Sequence, residues 1–163
     1  MNGQRQASRA QQERPRQSGA TGAAREPDWQ PSSRELEAII KHGDAELLVS
    51  SAQKVGTALS KSLSTSQLRG VFGTLRRIQM RWQPGASPDH VACEMKELRL
   101  LKPRLAYQAG RARQGSSVEG RGISDLEPVL RDAIDLVTCR EEFRHLVDYL
   151  EAIVAYHRFA GGR

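Results

Sequence analysis

Residues 64–85 read Ser-Thr-Ser-Gln-Leu-Arg-Gly-Val-Phe-Gly-Thr-Leu-Arg-Arg-Ile-Gln-Met-Arg-Trp-Gln-Pro-Gly. This stretch decides the fold class. Ser64 with Gln67 three positions on is a capping box, in which each residue satisfies an N–H that the first helical turn leaves open. Leu68, Val71, Phe72, Leu75, Ile78 and Trp82 follow at spacings of 3, 1, 3, 3 and 4. That is one apolar stripe on a 3.6-residue repeat. Gln83-Pro84-Gly85 then stops the helix.

The same pattern extends in both directions. Upstream, Ser33 is expected to cap a short helix through about His42, with Gly43 as its terminator. Asp44 caps the next, which carries Leu47, Leu48, Ala52, Val55 and Leu59 on one face. Downstream, Ser87 caps a helix with Pro88 at its first position. Val91, Met95, Leu98, Leu101, Leu105 and Ala109 form its stripe, which runs past Pro103. Proline removes a backbone bond and crowds the preceding turn, which predicts a kink near Lys102 or two helices meeting there. Residues 114–123 are Gly/Ser-rich and read as a loop. Ser124 and Glu127 resemble a second capping box, with Pro128 delaying that helix by a turn. Thr138 and Glu141 resemble a third, before a final helix bearing Phe143, Leu146, Val147, Leu150, Ile153, Val154 and His157. Gly161-Gly162 ends it.

No run alternates apolar and polar residues in a β-rich context. The expected fold is therefore all-α, a compact bundle of five or six helices over residues 33–163. Residues 1–32 contain no Val, Ile, Leu or Phe. They cannot bury enough apolar area to offset ordering, and read as a disordered basic tail.

Composition excludes several classes. No run approaches the ~20 apolar residues of a membrane span. No apolar segment follows Met1, so no signal peptide is expected. Cys93 and Cys139 are the only cysteines of 163 residues. That is too few for a disulfide scaffold and fits reduced thiols in a cytoplasm. His90 and Cys93 lie three apart, but no second nearby pair completes a metal site, and no metal or cofactor is expected.

The net charge of +6 is unevenly spread. Residues 65–113 hold ten basic and three acidic groups, whereas residues 114–163 hold six basic and nine acidic. Twenty of the 25 basic residues are Arg, whose planar guanidinium suits phosphate. A basic middle and an acidic final third suit a polyanion on one side. Arg69 and Arg76 flank the apolar stripe of the 64–85 helix, and Arg77 and Arg81 lie one turn apart on its outer face. No acidic residue occurs between Gln67 and Gly85, so these arginines lack neutralising neighbours on their own helix.

A second basic stretch is Leu100-Leu101-Lys102-Pro103-Arg104-Leu105-Ala106-Tyr107-Gln108-Ala109-Gly110-Arg111. Lys102, Arg104 and Arg111 are its cations. A third stretch is Glu151-Ala152-Ile153-Val154-Ala155-Tyr156-His157-Arg158. Its His157 falls on the apolar stripe, which fits a hydrogen-bonded core-edge histidine better than acid–base chemistry. No nucleophile–base pair, phosphate-cradling glycine loop or carboxylate pair is present, so no catalysis is expected.

Together with Thr65-Ser66-Gln67-Leu68-Arg69 and Gly161-Gly162, these stretches resemble the small helical subunit (Csm2 family) of the type III-A CRISPR–Csm interference complex. The resemblance spans about Leu59 to Gly162. It implies a non-catalytic subunit in several copies, stacked head to tail along a guide RNA–target RNA duplex and gripping mainly the target strand. RNA cleavage would belong to the backbone subunits. By motif, the phosphate contacts are Arg69, Lys102, Arg104 and Arg111, with Arg104 standing where Lys is the family's expectation. Arg76 and Arg77 join them by helix geometry. Tyr107, Tyr156 and His157 are expected to be structural.

Two alternatives are set against this. Ala52-Gln53-Lys54-Val55-Gly56 has the Ala-x-x-x-Gly spacing of a helix-turn-helix DNA-binding regulator, though no basic recognition helix follows it. A protein-only helical scaffold, using the acidic last third as its interface, is the other.

Overall fold

A computed structural model describes residues 27–114 and 121–163. Six helices follow in order: α1 (Ser33–His42), α2 (Ala45–Leu59), α3 (Thr65–Arg81), α4 (Pro88–Gln114), α5 (Gly122–Leu136) and α6 (Arg140–Phe159). Among the described residues there is no strand. The all-α bundle expected from the periodicity is the one observed.

Most boundaries follow the capping chemistry. Ser64 and Gln67 form the expected box, with the Ser64 hydroxyl oxygen accepting from the Gln67 N–H and the Gln67 side-chain Oε1 accepting from the Ser64 N–H. Asp44 caps α2 by accepting from the N–H groups of Glu46 and Leu47. Gly43 ends α1 at φ 66°, a left-handed conformation that a side chain disfavours.

Five expectations need correction. The α1 cap is Ser32, one residue earlier, because Glu35 lies three positions from Ser32 and reaches back to its N–H at 2.8 Å. Residues 27–32, read as part of the tail, belong to the folded unit: Pro31 is buried and Trp29 packs against the core. The tail reading of residues 1–26 lies outside the described residues. Pro103 sits inside one uninterrupted helix, so α4 does not divide there. α5 begins at Gly122 without a side-chain cap, and Pro128 does not delay it. Ser124 instead donates its hydroxyl to the Ala109 carbonyl of α4 at 3.0 Å. The acidic partner at the start of α6 is Glu142, not Glu141. Its carboxylate accepts from the N–H groups of Thr138 and Cys139, from the Thr138 hydroxyl and from Lys41.

α6 is the central element, packing on α1, α2, α3 and α5. It runs parallel to α2: Ser51 meets Tyr149 at 2.7 Å, and Gly56 lies against Ile153 and His157 further on. Burial pushes the Tyr149 hydroxyl up to about 12, although the Ser51 hydrogen bond opposes this. α3 crosses α6 in the opposite direction. Trp82, at its end, stacks on Phe143 with ring centroids 5.2 Å apart, and Thr65, at its start, donates its N–H to the Arg163 carbonyl. α4 and α5 form an antiparallel pair.

The core-face residues expected on α3 and α6 are buried, apart from Phe72 and Val154, which are partly so. His157 is fully buried, and its Nε2 lies 2.8 Å from the Leu63 carbonyl, as a core-edge histidine should. The Ala52–Gly56 segment lies within uninterrupted α2. There is no turn there, which removes the basis of the helix-turn-helix alternative. Among the described residues, no helix is long and apolar enough to cross a membrane. Cys93 and Cys139 are exposed free thiols.

Candidate nucleic-acid interface

The seam between α3 and α4 organises the basic residues. The two helices run antiparallel. At one end Arg81 of α3 reaches Glu94 of α4 at 3.1 Å and also pairs with Glu97. At the other end the Gly122 N–H donates to the Ser62 carbonyl, and Ser124 ties α5 to Ala109. The first turn of α5 therefore bridges the loop before α3 and the last turns of α4.

Helical spacing then places the side chains. On α4, Glu97, Arg104 and Arg111 recur every seven residues, within about 40° of one another. Glu97 touches α3, so this edge of α4 borders the seam. On α3, Arg77 precedes Arg81 by one turn and follows the same seam from the other side. Arg69, Gly73, Arg76 and Met80 fall within about 60° of one another on the flank of α3 that carries Phe72, away from Arg81. Arg69, Arg76, Arg77, Arg104 and Arg111 are all exposed. Arg77, Arg104 and Arg111 thus border the α3–α4 seam, while Arg69 and Arg76, about 120–140° around α3 from Arg81, line the far flank of the same helix.

Lys102 does not border the seam. It lies about 160° or more around α4 from Arg104 and Arg111. Its Nζ donates to both carboxylate oxygens of Asp135 on α5, at 2.5 and 2.7 Å. The motif placed it among the phosphate contacts, but the packing of α5 turns it to the other side.

The electrostatics of the surface follow from which cations find acids. Lys41, Arg81, Lys102, Arg131 and Arg144 all meet carboxylates. Among the described residues, Arg69, Arg77 and Arg104 meet none. The Arg76 Nη1 donates to the neutral Gln79 carbonyl at 2.6 Å, and its guanidinium lies 5.8 Å from the Phe72 ring centroid. The Arg111 guanidinium lies 5.9 Å from the Tyr107 ring centroid. Neither contact neutralises the charge, so the surface keeps its positive potential.

Two features escaped the sequence reading. The spacing puts Arg81 with Arg77 on an outer face of α3 that carries no acid, but Glu94 and Glu97 of α4 meet Arg81. Glu94 is only 2% exposed, on a helix face where an apolar residue would be expected. Its spacing from Leu98 and Leu101 is the one signal that it points inward. His90, considered beside Cys93 for a metal, places its Nε2 2.8 Å from the Arg81 carbonyl. The second feature is Tyr107. Expected to be structural, it is 67% exposed beside Arg104 and Arg111.

Gly70 and Gly73 lie on exposed turns of α3, where an added Cβ would meet nothing within 4 Å. The helix backbone is bare between Arg69 and the Arg76-Arg77 pair. This surface can hold a polyanion backbone by charge and fork geometry, without a cavity or a reactive group.

A family model described as Csm2 Type III-A matches residues 42–163. No curated protein and no solved structure matches the chain.

Proposed function

The chain belongs to the Csm2 Type III-A family, the small subunit of a type III-A CRISPR Csm complex, and from that premise we propose that it grips RNA through the α3–α4 surface. In this reading several copies stack head to tail along a guide RNA–target RNA duplex, in the cytoplasm, and hold mainly the target strand. The bound groups are phosphates. Arg69, Arg77 and Arg104 are the leading contacts, with Arg76 and Arg111 beside them. Lys102 reaches RNA only by releasing Asp135. The subunit supplies no reacting group, and sequence is read by base pairing with the guide.

One observation carries this reading. Among the described residues five lysines and arginines meet carboxylates, while Arg77 and Arg104 on the two sides of the α3–α4 seam, and Arg69 on the flank of α3, are exposed and meet none. Like charges held together repel, and a phosphate backbone relieves that repulsion. The test is native purification of the tagged full chain from its own cell. Short guide RNAs and the other complex subunits should co-purify. Recovery of the protein assembly without RNA would favour the protein-only scaffold.

A further inference from the structure

We propose that Tyr107 is a stacking platform for an unpaired RNA base. This rests on the RNA reading above and adds to it a contact that phosphates do not make.

The platform is built on the outer face of α4. Leu100 and Tyr107 are seven residues apart and share one stripe within about 20°. They are 43% and 67% exposed, so together they form one exposed apolar strip along α4. Pro103, exposed between them, adds a smooth apolar edge. On the next turn, Gly110 carries no side chain, and a Cβ there would meet nothing within 4 Å. The ring is therefore open on that side.

The chemistry of the rim selects the occupant. Arg104 stands three residues before Tyr107 and Arg111 four after. Arg111 lies 5.9 Å from the ring centroid. The nearest acid on α4, Glu97, lies nearly three turns before Tyr107 and is held by Arg81. An apolar helix of a protein partner would need no guanidinium at both ends of one aromatic ring. A nucleotide needs both parts: a flat ring on which a base lies, and cations for the phosphates flanking it. A fully paired duplex hides its bases in the stack, so the occupant is a base outside the pairing.

The test uses the full chain and two labelled RNA duplexes that differ by one unpaired nucleotide. The wild-type chain should bind the bulged duplex at least about fivefold more tightly, the effect expected of one stacked base. Tyr107→Ala should abolish that preference and leave binding to the perfect duplex unchanged. Tyr107→Phe should retain it, because the ring is kept. Helicity of each variant is checked by circular dichroism; Ala at an exposed helical site favours the helix. Equal wild-type affinity for the two duplexes would overturn the platform and leave the RNA reading standing. Binding to neither duplex would overturn both. Self-association lost in Tyr107→Ala, with no change in the bulge preference, would assign the ring to a second copy of the chain and overturn the proposal.

Discussion

Lys102 on α4 is clasped by Asp135 on α5, its Nζ 2.5 and 2.7 Å from the two carboxylate oxygens. Two residues further on, Arg104 meets no carboxylate among the described residues. One sequence motif therefore holds two cations with different roles. Lys102 joins α4 to α5, and Arg104 faces outward along the α3 seam. Lys102→Met should lower stability by less than about 1 kcal/mol, the usual worth of a partly exposed ion pair. It should leave RNA affinity nearly unchanged. Arg104→Glu should leave stability unchanged and weaken RNA binding severalfold. Thermal melts and filter binding on the two variants separate these outcomes.

Glu142 ties three elements together at the start of α6. Partial burial alone would raise its carboxyl. The hydrogen bond from Lys41, followed by those of the Thr138 N–H and hydroxyl, outweighs this and holds the group down at about 2. A depressed carboxyl stabilises the fold fully above its ordinary value of 4.5 and loses that contribution as pH falls through 4.5 toward 2. Glu142→Gln keeps an acceptor for the Thr138 and Cys139 N–H groups but removes the charge that Lys41 meets, and should destabilise the fold by up to about 1 kcal/mol at pH 7. It should also flatten the acid limb of the stability curve. Denaturant melts from pH 7 to pH 2 check this. An acid limb of unchanged steepness would show that the carboxylate does not set it. Glu35, also lowered by its Ser32 hydrogen bonds, adds a smaller contribution of the same sign.

Two glycines should respond in opposite ways to the same substitution. A Cβ on Gly56 would lie 2.8 Å from the His157 N and the Ile153 carbonyl of α6. Those are backbone atoms, so Gly56→Ala must push α2 off α6, at a cost of about 1–3 kcal/mol. A Cβ on Gly73 meets open space. Gly73→Ala should stabilise α3 by up to about 1 kcal/mol. Urea titration of both variants gives the signs. A Gly56→Ala protein as stable as wild type would contradict the close parallel packing of α2 and α6.

Much of this architecture is legible from local chemistry. The Ser64–Gln67 box, the Asp44 cap, the Gly43 terminator and the apolar stripes each depend on neighbours within one or two helical turns. A sequence displays those directly. The errors arise where near-equivalent residues compete or where a partner lies on another helix. Ser32 and Ser33 are both capping residues, and Glu35 selects the first. Glu141 and Glu142 are adjacent, and Lys41, about a hundred residues away in the chain, selects the second. The basic surface was readable as a charge concentration in residues 65–113. Which cations stay unneutralised was not, because Glu94 and Asp135 reach Arg81 and Lys102 from other helices.

In the proposed function, the unneutralised arginines of α3 and α4 bind the RNA backbone. The most direct test is the salt dependence of RNA binding by the full chain and by an Arg69→Glu/Arg77→Glu/Arg104→Glu variant. Each phosphate contact contributes roughly 0.7–0.9 to the slope of log affinity against log salt. The variant should bind much more weakly at low salt, with a slope shallower by about 2–3 and unchanged helicity. Equal affinity and an equal slope for the two proteins would contradict it.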